Sequence, residues 1–65
     1  MNKQQYLDEV LFEQDNEEFS GLCVNDLSEV PARYKGLVLY VNDHGNVTLY
    51  KAFKNGNVHE IASRV

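Results

Sequence analysis

Between Leu37 and Val65 the chain carries three apolar-rich runs separated by two glycine-bearing turns, a pattern that suits an antiparallel sheet and little else. Leu37-Val38-Leu39-Tyr40-Val41 is short, β-branched and aromatic, and lies between Gly36 and Asn42-Asp43-His44-Gly45-Asn46. Those features argue a strand rather than a helix. Residues 47–53 supply a second strand and residues 57–65 a third. Asn55-Gly56 between the last two accepts positive φ at low steric cost, as both central positions of a type I′ turn require.

That turn sets a register. A two-residue loop at Asn55-Gly56 pairs Phe53 with Val58, Lys51 with Glu60, Tyr50 with Ile61 and Thr48 with Ser63. Each pair is chemically matched, and such pairs contribute roughly 0.2–1 kcal/mol each. For the first turn, a three-residue loop, Asp43-His44-Gly45 with Gly45 left-handed, puts Val41 opposite Val47 and Leu39 opposite Leu49. A two-residue loop pairs unlike residues instead. One sheet face then holds Leu37, Leu39, Val41, Val47, Leu49, Phe53, Val58 and Ala62, with the Lys51–Glu60 pair. The other holds Val38, Tyr40, Thr48, Tyr50, Ala52, His59, Ile61 and Ser63.

Upstream, Asn2 and Gln5 have the spacing of a capping box. Tyr6, Leu7, Val10 and Leu11 form one helical stripe, predicting a helix from Lys3 to about Gln14 that covers the first sheet face. Phe12 is off that stripe and is expected at most to close its edge. A break is expected near Asn16 and another at Ser20-Gly21. Leu22-Cys23-Val24 reads as an edge strand or a buried loop segment. Pro31 and Gly36 bound a short helical turn near residues 31–35. The expected fold is α+β: one N-terminal helix packed on a three-stranded antiparallel meander, with that short helical turn, in a single domain over residues 1–65.

The 65 residues make one small core, and a chain of this size buries only ~60% of its unfolded surface. Cys23 is the single cysteine, so no intrachain disulfide adds to it. No apolar run approaches the length of a membrane span, and Met1 does not begin a charged-then-apolar signal, so a cytoplasmic protein is expected. Charge is unevenly spread. In residues 1–30 eight acids stand against Lys3, giving −7, and in residues 31–65 five bases against two acids give +3, for the total of −4. Such polarity concerns partners rather than fold.

Catalytic and metal constellations are weak. His44 suits a turn tip because histidine tolerates left-handed backbone. Two histidines and one cysteine without close spacing do not form a zinc set. Cys23, between Leu22 and Val24, is expected in the core as a small hydrophobe. The glycines are isolated at turns, so no phosphate loop exists. Neither enzyme activity, nor a metal, nor a cofactor is expected.

Two surfaces remain as binding candidates. One is the second sheet face with Tyr40, Tyr50, His59 and Ile61. The other is the acidic string, with Asp15, Glu17 and Glu18 at its end. They suggest a small protein-binding or regulatory module acting through a sheet face or edge on an unidentified protein partner. A homodimer would cover the sheet face that one helix leaves open. An alternative is an inhibitor whose acids imitate nucleic-acid phosphates, a strategy of some small proteins of phage and other mobile elements. A third is weak nucleic-acid binding by the sheet, with Tyr40 and Tyr50 stacking bases while Lys51, Lys54 and Arg64 contact phosphates. It is disfavoured because Lys51 lies on the face opposite both tyrosines and the net charge is negative.

Overall fold

Asn2 opens the first helix with both arms of a capping box. Its Oδ1 accepts from the Gln5 backbone N–H at 2.8 Å, and its own backbone N–H donates to Gln5 Oε1 at 2.9 Å. The computed structural model describes residues 2–53 and 55–64. It places α1 at Lys3–Asp15, β1 at Leu22–Val24, a 3₁₀ turn at Leu27–Glu29, β2 at Gly36–Val41, β3 at Val47–Ala52 and β4 at Val58–Arg64. The predicted extension of the last strand to Val65 and the predicted role of Lys54 lie outside the described residues.

The helix ends at Asn16 in a Schellman arrangement: the Glu18 N–H donates to the Glu13 carbonyl at 2.8 Å and the Glu17 N–H to the Gln14 carbonyl at 3.2 Å. This closure requires a left-handed residue after the cap, normally glycine. Here it is Glu17, at φ 60°. A left-handed non-glycine residue costs roughly 1–2 kcal/mol, and glycine returns part of that as unfolded-chain entropy. Glu17→Gly is therefore expected to stabilise the fold by about 0.5–1 kcal/mol, read as a rise in the denaturation midpoint.

The sheet has four strands in the order β1-β2-β3-β4, not three. β2–β3 and β3–β4 are the expected antiparallel pairs. β1 is added parallel to β2, with Leu22 opposite Val38 and Val24 opposite Tyr40. A parallel neighbour cannot be joined by a tight turn, so the intervening chain must cross one face of the sheet. Residues 25–35 make that crossing opposite α1. The expected short turn near 31–35 is there, closed by the Tyr34 N–H on the Pro31 carbonyl at 3.0 Å. The 3₁₀ segment comes earlier, where Asp26 caps it through the Ser28 N–H at 3.0 Å.

The β2–β3 hairpin is as expected: Leu39 faces Leu49, Val41 faces Val47, and Gly45 holds φ 80° in a loop of residues 43–45. Asn42 Oδ1 braces that loop by accepting from His44 and Asn46 N–H groups at 2.8 and 3.0 Å. The β3–β4 turn differs. Phe53 N–H donates to the Asn57 carbonyl and Gly56 N–H to the Phe53 carbonyl, so the strands close at Phe53 and Asn57, one residue wider than the predicted two-residue turn. Val58 therefore pairs with Ala52, His59 with Lys51 and Glu60 with Tyr50. The predicted pairs Phe53–Val58, Lys51–Glu60 and Tyr50–Ile61 do not form. A bulge then restores the predicted register, with Leu49 opposite Ala62 and Thr48 opposite Ser63. Ile61 is the inserted residue, consistent with how a bulge places two residues against one.

Two cores result. Under α1 lie Leu7, Val10, Leu39, Leu49 and Ala62, with Tyr6, Leu11, Phe19, Leu37, Val47 and Ile61 against them. On the opposite face Val24, Val38 and Ala52 are buried by Val30, Tyr34, Val58 and the bodies of Tyr40 and Tyr50. Val58 thus moves to the second face and Ile61 to the first. Phe53, expected in the core, is 39% exposed. Cys23, also expected in the core, is exposed. It alternates to the helix side of β1, and α1 lies against β4 at the far edge, leaving that end of the sheet uncovered.

Candidate functional site

The predicted sheet-face patch of Tyr40, Tyr50, His59 and Ile61 does not come together. Tyr40 and Tyr50 are neighbours on the second face, with ring centroids 6.3 Å apart and planes tilted by 47°. Ile61 packs on the other side under α1. His59 is exposed, is the register partner of Lys51, and stands edge-on to Phe53 with centroids 5.1 Å apart and planes at 83°. The one-residue slip at the β3–β4 turn is what separates them, since a shift of one residue moves a side chain to the other face.

The tyrosine pair is part of a covered surface. Val38 beneath it is fully buried, and the crossover closes over the same face, with the Tyr34 hydroxyl donating to the Leu37 carbonyl at 2.9 Å. Burial holds the Tyr50 phenol above the ordinary value of 10.0, the Glu60 carboxylate on the paired strand adds to the shift, and Tyr40 adds further. The neutral form is thus favoured in the folded chain. As pH rises through the unfolded value near ~10, the unfolded chain loses its proton first, so stability falls in the window between that value and the raised one. Absorbance titration of phenolate is expected to show a transition above the ordinary value that disappears in Tyr50→Phe and moves down in Glu60→Gln.

The sheet edges are protected. β1 is three residues long, and Asn25 Nδ2 ties its end to the Val41 carbonyl at 3.2 Å. At β4, Gln4 Nε2 donates to the Ser63 carbonyl at 3.1 Å, Arg64 pairs with Asp8, and the bulge interrupts the ladder. Short strands, charges and bulges are the usual means of blocking strand addition.

The acidic string is where the sequence placed it. Asp15, Glu17 and Glu18 are exposed at the end of α1 and in the turn after it. What the helical stripe did not show is Phe12, which is 67% exposed. It sits in a shallow surface groove of about 480 Å³ with Asp8, Glu9, Glu13 and Glu18. Asp8 and Glu9 lie one turn before it on the same helical side, and Glu13 and Glu18 complete the lining. A phenylalanine outside the apolar stripe with acids at those spacings is the signal that marks this position in the sequence. A second groove of about 400 Å³, lined by Lys35, Phe53, Asn55, Asn57 and His59, surrounds the other large exposed apolar side chain among the described residues. Among those residues no group of three or more His, Cys, Asp or Glu is placed to hold a metal ion, and no helix is long and apolar enough to cross a membrane.

The chain has no significant match among family models, curated proteins or solved structures, so its two phenylalanine grooves are read from their own chemistry.

Proposed function

We propose that this protein is a non-enzymatic protein-binding module whose contact surface is the acid-ringed Phe12 face of α1. The observation that carries this reading is Phe12 itself. It is a large aromatic ring left in water beside a well-filled core, on a helix whose Leu7 and Val10 are buried and whose Tyr6 and Leu11 are half-buried. Aromatic anchors surrounded by a polar rim are the usual centres of protein contacts. The matching partner surface is basic and offers an apolar recess. The sheet face is the less favourable contact because Val30 and Tyr34 of the crossover already pack on its buried centre, and the edges are blocked as described.

Imitation of nucleic acid is the second reading. The exposure of Asp15, Glu17 and Glu18 beyond the groove favours it. The two are separated by which residues matter: a phosphate mimic depends on the acids and is indifferent to Phe12.

The test is retention of partners from host lysate on immobilised wild type, Phe12→Ala, and the triple reversal Asp15→Lys/Glu17→Lys/Glu18→Lys. A species held by wild type, released by rising salt and lost with Phe12→Ala is the expected result. Retention that ignores Phe12 but fails in the triple reversal supports the mimic. Retention identical on all three rejects both.

A further inference from the structure

We infer that the Phe12 groove of one copy docks on the Phe53 groove of a second copy, so that the chain self-associates. This names the partner of the surface proposed above and rests on that reading.

The argument is complementarity within one molecule. Among the described residues the exposed large hydrophobics are Phe12 and Phe53. Each stands in its own groove, and the two linings share no residue. The Phe12 groove is lined by Asp8, Glu9, Glu13 and Glu18; Asp8 is paired with Arg64, so Glu9, Glu13 and Glu18 carry the groove's negative charge. Around Phe53 the charged side chain is Lys35, with the exposed Lys51 brought alongside as the register partner of His59. The Phe53 groove has no acid in its lining and is completed by Asn55, Asn57 and His59, which offer donors to carboxylates. One surface is an aromatic in an acidic ring and the other an aromatic in a basic recess. Opposed potentials steer such faces together and oppose like-with-like pairing.

Among the described residues Phe12 and Phe53 are the large hydrophobics left uncovered. On the second sheet face, the other apolar candidate for a dimer, Val30 and Tyr34 of the crossover already pack on the buried centre of Val24, Val38 and Ala52. Self-association by this route therefore uses the helix side and the β3–β4 turn. A two-fold pair makes the contact twice, once in each direction.

The experiment is sedimentation equilibrium across concentration, at low and high salt, on wild type and two charge-swapped chains. One carries Glu9→Lys/Glu13→Lys/Glu18→Lys, the other Lys35→Glu/Lys51→Glu. All these side chains except Glu13 are exposed, and circular dichroism melts confirm that each chain folds. Wild type is expected to rise above 7.5 kDa at low salt and return toward it at high salt. Each swapped chain alone is expected to stay at the monomer mass. Mixed one to one they are expected to recover association, because each swapped groove then meets its opposite. Phe12→Ala, which alters no core residue, is expected to weaken wild-type association by at least about tenfold.

A wild type that remains at 7.5 kDa at every concentration overturns the inference. So does association that survives in either swapped chain alone, or a mixture that fails to recover it. If wild type is monomeric but a lysate partner is still lost with Phe12→Ala, the protein-binding reading stands and the second copy falls as its partner.

Discussion

Leu49→Ala is expected to unfold a large part of the population at room temperature. Leu49 is fully buried at the centre of β3 and packs with Leu7, Val10, Leu39 and Ala62. Truncating a buried leucine costs ~2–5 kcal/mol, because the lost burial adds to the cavity left behind. At ~0.05–0.15 kcal/mol per residue, a domain of this size has roughly 3–10 kcal/mol in total. The loss is thus comparable with the whole stability. Urea titration followed by circular dichroism measures it, with Phe12→Ala as the control, expected within about 0.5 kcal/mol of wild type as a surface change. Equal midpoints for the two variants would mean that β3 does not present Leu49 to the helix.

Gly21→Ala is expected to detach β1 while leaving the meander folded. Gly21 has no positive φ, so the obstacle is contact rather than backbone conformation. A Cβ there would run into the Phe19 ring and stand 2.7 Å from the Leu37 carbonyl oxygen. The ring can turn, but the carbonyl belongs to β2 and cannot. The strand must move outward, at a cost typical of overpacking, ~1–3 kcal/mol. Because the chain leaves β1 directly into the crossover, displacement should also loosen the cover over Val38 and Ala52. Hydrogen exchange reads this selectively: amides of Leu22–Val24 are expected to lose protection first, with Leu49 and Ala62 retaining theirs. Unchanged protection in β1 would contradict the close approach of Gly21 to Leu37.

These two substitutions fall on opposite sides of what was legible. Leu49 opposite Leu39 beneath the Leu7 and Val10 stripe follows from periodicity and one turn, and the structure has it so. Gly21 looked only like a break. Its role depends on a neighbour sixteen positions away, Leu37, which no local pattern identifies. The same division runs through the candidate site. Asp15, Glu17 and Glu18 are exposed, as charge alone suggests. The grouping of Tyr50 with His59 and Ile61 failed because one extra loop residue turned part of β4 over and a bulge turned it back. Thr48 opposite Ser63 survived that double shift, which is why chemically matched pairs gave partial support to a register that was wrong nearer the turn.

What could be settled locally was settled by residues within one turn of each other. Asn2 and Gln5 cap the helix, Asn16 ends it, and Gly45 closes the first hairpin, because each outcome depends on hydrogen bonds or steric freedom within a few residues. The fourth strand, the cover of the second face and the exposure of Cys23 required the assembled molecule. Three residues, Leu22 to Val24, are too few to carry a period, and whether they run parallel or antiparallel depends on where the following chain can bury Val30 and Tyr34. Once that segment crossed the sheet opposite α1, it buried Val38. With α1 lying against β4 at the far edge, Cys23 was left in solvent and the apolar surface still open lay at Phe12 and Phe53.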